Sequence, residues 1–127
     1  MGDLSQNFSK HEFACQCGCN ADNINSNLVA KLQVFRDTLE RSVVITSGLR
    51  CVEHNSVVGG VPHSQHVTGN AADVVTLNSA DRGDKLIAAL SAGFKAIGIG
   101  KNFLHLDTRE FDGATVVFDY YGSDHVA

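Results

Sequence analysis

The chain has 127 residues, of which 43% are hydrophobic and 19% charged, and its formal net charge is −4. This length suits one globular domain and is too short for two ordinary ones, so we expect a single domain over residues 1–127. The ten Lys and Arg residues are scattered, which argues against a nucleic-acid surface. No apolar run approaches the ~20 residues that a bilayer span needs, and the N-terminal segment has neither a basic start nor an apolar stretch. We therefore expect no membrane association and no secretion signal.

A helix and a strand are predicted in the first half of the chain. Ser26 is a suitable N-cap for a helix that runs to about Glu40 and carries apolar residues at helical spacing. The β-branched run at 43–46 predicts a buried strand that ends at Ser47-Gly48. Beyond it we expect a long irregular stretch, which glycines and a proline keep from being helical. A loop of that length in a compact domain is usually functional or disordered, and its histidines favour function.

The second half alternates strands with one helix. Residues 71–75 predict a strand, and a helix capped near Ser79 follows, which carries Leu86, Ile87 and Leu90 and is stopped by Gly93. Three short strands are predicted at 96–99, 103–108 and 115–118, the last two joined by a hairpin at Asp112-Gly113. The pattern indicates an α+β domain with a small antiparallel or mixed sheet and helices on one side.

Two histidines and a carboxylate form a candidate metal site. His66 and Asp73 are separated by six residues, across a glycine, in a segment that leads into a predicted strand. In the later strand, period-two alternation sends His105 and Asp107 to one face and two leucines to the other. If Asp73 points into the same cleft, His66, Asp73 and His105 form a two-histidine, one-carboxylate set with water in the fourth position.

Zinc is the ion that fits this set best, because it accepts tetrahedral N/O ligation and lowers the pKa of bound water toward ~7. Asp107 would then act as the general base or orient His105 from behind. Taken singly, each histidine is explained as a surface or hydrogen-bonded residue, and Asp73 as a turn cap. Taken together, their spacing and alternation favour a small zinc hydrolase.

The four cysteines, Cys15, Cys17, Cys19 and Cys51, offer a less favoured metal site. Three of them alternate along one short segment, and alternate residues of an extended segment do not easily wrap a tetrahedral ion. The simpler interpretations are reduced thiols at synthesis, or one or two disulfides, for which four cysteines allow three full pairings.

The motif Ser64-x-His66-x-x-Gly69-x-Ala71-x-Asp73, preceded by Ser47-Gly48-Leu49-Arg50 and followed by His105-x-Asp107, resembles the zinc D-Ala-D-Ala carboxypeptidase family. That family shares its fold with Hedgehog signalling domains. The likeness runs from about Asn7 to Val117, and the start of the chain is similar to compact phage and prophage members, which are typically peptidoglycan peptidases or endolysins.

The resemblance implies roles for six residues. His66, Asp73 and His105 would be the zinc ligands. Arg50 would bind a substrate carboxylate or stabilise the oxyanion, and Ser64 would hydrogen-bond in the cleft or support the ligand loop. The base stays open between Asp107 and another group, because several relatives place the catalytic acid a few residues before the last zinc histidine, where this chain has 102–104. Arg50 could also be a surface cation and Ser64 a turn residue.

The function expected from the resemblance is zinc-dependent hydrolysis of peptidoglycan stem peptides or cross-links by a monomer, made in the cytoplasm and acting on the wall after release. The alternatives are a zinc-stabilised binding module of the same fold without turnover, and a redox or metal-storage protein built on the cysteines. His63 could line the cleft, although an exposed loop histidine is the simpler interpretation. Tyr120 and Tyr121 could rim a groove or cover the sheet edge.

Overall fold

The computed structural model describes residues 2–19, 23–59 and 64–119. Within them the chain forms four helices and five strands. In chain order these are α1 (Lys10–Phe13), α2 (Ser26–Leu39), β1 (Ile45–Ser47), α3 (Val52–Val57), β2 (Ala71–Val75), α4 (Ser79–Ser91), β3 (Ala96–Ile99), β4 (Phe103–Asp107) and β5 (Val116–Asp119). None of the helices in this part of the chain has the length and apolar character that a bilayer crossing requires.

The strands form one mixed sheet in the order β1-β2-β4-β3-β5. The pairs β1–β2, β2–β4 and β3–β4 are antiparallel, whereas β3 and β5 are parallel. This architecture confirms the predicted α+β class with a mixed sheet.

The predicted hairpin between the last two strands is wrong. Both edges of β4 are occupied by β2 and β3, so β5 pairs instead with the remaining edge of β3. The turn signal itself is real, because Asp112 and Gly113 have φ values of 52° and 85° and lie between the bridged residues Phe111 and Ala114. The turn therefore reverses the chain locally without joining two neighbouring strands.

The core lies on the face of the sheet that α2 and α4 cover. From the sheet it receives the alternate residues Ala72, Val74, Ile97, Leu104 and Leu106, and from α2 it receives Leu28, Val29, Leu32 and Phe35. Alternation then turns the intervening residues of β2 and β4 toward the opposite face. That face carries the candidate site.

The inward face of α4 contains charged residues as well as apolar ones. Ile87 and Leu90 are exposed at 65% and 46%, whereas Leu86 packs against the core. The buried stripe also contains Asp81 and Lys85, one turn apart, whose side chains form an ion pair at 2.9 Å. A search for apolar periodicity in the sequence does not find such a buried ion pair.

The stretch expected to be irregular after Arg50 contains α3. Its N-cap is Cys51, whose Sγ accepts a hydrogen bond from the His54 backbone N–H, and Gly59 follows its end with φ of 74°. The helix breakers that suggested a loop lie beyond this short helix and do not interrupt it. The predicted loop is therefore shorter than expected.

Candidate metal centre

The sheet register places two of the predicted ligands side by side. Asp73 in β2 pairs directly with His105 in β4, and Gly98 of β3 is the partner of His105 on its other side. Asp73 and His105 are 4% and 3% exposed. Two central strands thus hold an imidazole and a carboxylate together on the face opposite the core.

The third predicted ligand, His66, comes from the turn that precedes β2. Its backbone N–H donates to Ser64 Oγ at 3.2 Å, and its carbonyl accepts from the Arg50 backbone N–H at 3.0 Å. Gly69 closes the turn with φ of 76°, and a Cβ there would lie 2.7 Å from the Asn23 carbonyl oxygen. This hydrogen bond ties Ser64 to the backbone of the turn that carries His66.

The three side chains converge on one point. His66 Nε2 and His105 Nδ1 each lie 3.2 Å from Asp73 Oδ1, and the two nitrogens are 3.3 Å apart. Ligands bound to zinc at ~2.0–2.1 Å in a tetrahedron are separated by about 3.3 Å. The spacing of these atoms therefore fits three corners of a zinc coordination sphere.

The hydrogen bonds on the far side of each ring orient its lone pair. His66 Nδ1 lies 2.7 Å from the Gly48 carbonyl oxygen, and His105 Nε2 lies 2.7 Å from Asp107 Oδ2. Both partners accept, so these nitrogens carry the protons, and in the neutral rings the opposite nitrogens are lone-pair donors. Two lone pairs and a carboxylate facing one point repel one another unless a cation or a proton lies between them.

The pKa directions agree with this electrostatic picture. Burial lowers the pKa of His66, which keeps the ring neutral. Burial alone would raise the pKa of Asp73, but hydrogen bonds from His105 and His66 outweigh it and lower the pKa to about 2. For His105, burial opposes the charged form, yet its hydrogen bonds to Asp107 and Asp73 raise the pKa above the usual value. The cluster thus favours an ionised carboxylate and attracts positive charge.

Asp107 lies behind His105 and is fully buried. Besides accepting from His105, it accepts from the Arg109 backbone N–H and Nε at 3.0 Å through Oδ1, and from Arg109 Nη2 at 2.9 Å through Oδ2. Hydrogen bonds from His105 and Arg109 outweigh burial and lower the pKa of Asp107. Both oxygens are engaged, which fits the orienting role better than the role of general base.

Arg50 lies close enough to His66 for its charge to lower the pKa of that ring. It is 2% exposed, and its Nη1 donates to Asn55 Oδ1 at 2.8 Å. The alternative interpretation of Arg50 as a surface cation is therefore wrong, and the chain places a fixed positive charge beside the cluster.

Three contributors escaped the sequence interpretation: Arg109, Asn55 and the carbonyl of Gly48. Arg109 lies two residues after Asp107, just beyond the end of β4, so extending the alternation of β4 by one step would have suggested it. Asn55 is placed by α3, which was not predicted, and a backbone carbonyl has no signal in sequence. His63, Tyr120 and Tyr121 lie outside the described residues.

A second cluster of possible ligands also forms. The sulfurs of Cys15, Cys17, Cys19 and Cys51 all lie within 4.8 Å of one another. The premise that the first three occupy an extended segment is wrong, because residues 16 and 17 form a turn and Gly18 has φ of 87°. That turn brings alternate cysteines to a common point.

The chain matches a protein-family model over most of its length. The family model described as Peptidase M15 matches residues 6–107, which contain the Ser-Gly-x-Arg motif, the three clustered residues and Asp107. A search of curated proteins gave no match to the chain.

Proposed function

Because the chain belongs to the peptidase M15 family, we propose that it is a zinc-dependent peptidase that hydrolyses peptidoglycan stem peptides or cross-links. The observation that carries the proposal is the convergence of His66 Nε2, His105 Nδ1 and Asp73 Oδ1 within 3.2–3.3 Å of one another. Three ligands facing one point leave the fourth tetrahedral position for the reacting groups, as in catalytic zinc sites.

The donor set favours zinc over harder cations. Two imidazoles and one carboxylate suit zinc, whereas magnesium and calcium prefer oxygen ligands. When bound, zinc would polarise the scissile carbonyl and promote attack by water. The protein supplies a buried, prearranged site for it, since the ligand residues are all 4% exposed or less.

The residues around the ligands have distinct proposed tasks. The Gly48 carbonyl and Asp107 hold the two rings in the tautomers that present a lone pair to the ion. Asp107 is thus a positioning residue, and Arg109 in turn fixes its carboxylate.

Arg50 is proposed to hold negative charge on the peptide, either its terminal carboxylate or the oxyanion that develops during hydrolysis. Its guanidinium is always charged and offers several donors, one of which is anchored by Asn55 at 2.8 Å. The resemblance to D-Ala-D-Ala carboxypeptidases, including compact endolysin-type members, supports peptidoglycan as the substrate, on which the chain would act as a monomer at the cell wall.

The test is incubation with purified peptidoglycan, with and without a zinc chelator, followed by mass analysis of the released peptides. We expect peptide release that a chelator abolishes and added zinc restores, and the product masses identify the bond. His66→Ala should lose one equivalent of zinc and all activity, whereas His11→Ala, the same change at an exposed histidine outside the cluster, should retain both.

Two results would overturn the proposal. Peptide release that is indifferent to the chelator would exclude a zinc peptidase. Zinc held by His66 without any released peptide from peptidoglycan would instead favour the binding module that shares this fold.

A further inference from the structure

We propose that Cys15, Cys17, Cys19 and Cys51 form a second metal centre, a structural tetrathiolate zinc site that fastens the N-terminal segment to the loop carrying Arg50. It shares no residue with the His66 cluster, and it stands whether or not the chain is a peptidase.

The sulfur spacing is that of thiolates sharing one ion. Cys15 Sγ lies 3.4 Å from Cys17 Sγ and 3.8 Å from Cys51 Sγ, and the last two sulfurs are 3.6 Å apart. Cys19 completes the group within 4.8 Å. Four sulfurs bound to zinc at ~2.3 Å in a tetrahedron are separated by about 3.8 Å. The observed triangle of 3.4–3.8 Å matches one face of such a tetrahedron.

Disulfides account for this arrangement less well. All four cysteines are free in the structure. A disulfide would draw one pair of sulfurs to ~2.05 Å and remove it from the shared point. Disulfide bonds join sulfurs in pairs and do not explain why three sulfurs lie at similar distances from one another. A single ion bound to all of them does explain it.

Backbone N–H groups point at the sulfurs, as expected around thiolates. The Cys51 N–H donates to Cys15 Sγ at 3.4 Å, and the His54 N–H donates to Cys51 Sγ at 3.3 Å. These donors stabilise negative charge on sulfur, and the second also forms the N-cap of α3. The site is therefore built from both the turn at 15–19 and the start of α3.

A closed set of four thiolates leaves no position for substrate, so the predicted role is structural. The ion would join two segments 32 or more residues apart along the chain. Its neighbourhood is already tied by a hydrogen bond from the Leu49 N–H to the Phe13 carbonyl at 2.8 Å. Because Arg50 precedes Cys51 directly, the cluster would also fix the guanidinium that stands beside His66.

The test counts metal in the intact chain, purified in reductant and dialysed against trace zinc. We expect two equivalents of zinc in the wild type, one in His66→Ala and one in Cys17→Ser. Cys17 is exposed, so the serine creates no cavity. With cobalt in place of zinc, the wild type and His66→Ala should show the near-ultraviolet charge-transfer band from thiolate to cobalt. In Cys17→Ser this band should lose most of its intensity.

A second measurement needs no variant. In protein that is purified without reductant and then chelated and denatured, a thiol reagent should find four free thiols per chain. A count of zero or two in freshly purified protein would identify disulfides and overturn the proposal. One zinc equivalent in the wild type that Cys17→Ser retains and His66→Ala loses would overturn it as well, while leaving the peptidase proposal intact.

Discussion

Replacing Asp107 with asparagine separates the two roles considered for this carboxylate. In the folded chain Asp107 Oδ2 accepts from His105 Nε2 at 2.7 Å, and Arg109 donates to both oxygens at 2.9–3.0 Å. Asparagine keeps the shape but offers only one acceptor oxygen. Its amide nitrogen must face either the His105 N–H or the Arg109 guanidinium, both of which are donors.

The expected loss is in metal affinity. Partners that orient a metal-bound histidine are worth about 10–100-fold in affinity, or about 1.4–2.7 kcal/mol. Asp107 makes one charge-assisted bond to the ring and is fully buried, so we expect the upper half of that range. Zinc affinity is measured by competition with a chromophoric chelator, and activity at both limiting and saturating zinc.

If Asp107 orients His105, the activity of Asp107→Asn should recover to within about tenfold of wild type when zinc is saturating. If Asp107 is the general base, zinc affinity should stay normal and a loss of about 10²-fold or more should persist at every zinc concentration. Glu110→Gln makes the same chemical change at an exposed carboxylate nearby and should alter neither quantity. A zinc dissociation constant within twofold of wild type in Asp107→Asn would refute the orienting role.

Three further predictions concern stability, each checked by urea or thermal unfolding. Asp81→Asn should cost about 2–3 kcal/mol, because it leaves the Lys85 ammonium buried beside a neutral amide, whereas Asp84→Asn at an exposed site should cost little. Burial would raise the pKa of Asp81, but hydrogen bonds from Lys85 and other donors lower it to about 2. The ionised carboxylate therefore contributes about 1–2 kcal/mol to the free energy of unfolding, and this contribution is complete above pH ~4, where the carboxylate is also ionised in the unfolded chain. That contribution should disappear as pH falls through about 2, and the stability gap between wild type and Asp81→Asn should narrow by the same amount there; a gap that stays constant over this pH range would contradict the ion-pair account. Gly69→Ala should destabilise by more than 1 kcal/mol, because its φ is 76° and the new Cβ meets the Asn23 carbonyl, whereas Gly83→Ala, which meets nothing within 4 Å, should stabilise by about 0.5–1 kcal/mol.

The elements of the fold that follow from local patterns were predictable, and those set by long-range pairing were not. The β-branched and alternating runs of β2 and β4 identify buried strands and correctly assign Leu104 and Leu106 to the core. The strand that β5 pairs with depends on which sheet edges other strands already occupy. The sequence around residues 115–118 does not contain that information. In α4 the inward row includes Asp81 and Lys85, whose mutual pairing makes burial possible where composition alone argues against it.

The three clustered residues of the candidate site could be proposed from the sequence, whereas the groups that surround and orient them could not. Strand alternation separates His105 from its leucine neighbours, and the spacing around Gly69 relates His66 to Asp73, so the cluster of three could be proposed before any coordinates. The cysteines show the opposite case. Their convergence depends on the positive φ of Gly18 and on the position of Cys51 relative to a turn 32 or more residues away, neither of which a spacing rule contains.

The loop that carries His66 is the part of the proposed site on which preorganisation depends most. Asp73 and His105 lie on paired strands, and a one-residue slip of either strand would turn its own ligand residue into the core. His66 has no such constraint, and its position rests on Ser64, on the turn at Gly69 and on the hydrogen bond from the Arg50 N–H to its carbonyl. Arg50 is next to Cys51, so an ion held by the cysteines would restrict the same backbone that positions the third ligand. The two proposed metal centres are then linked through one peptide segment, and losing the cysteine-bound ion should weaken metal binding by His66 as well.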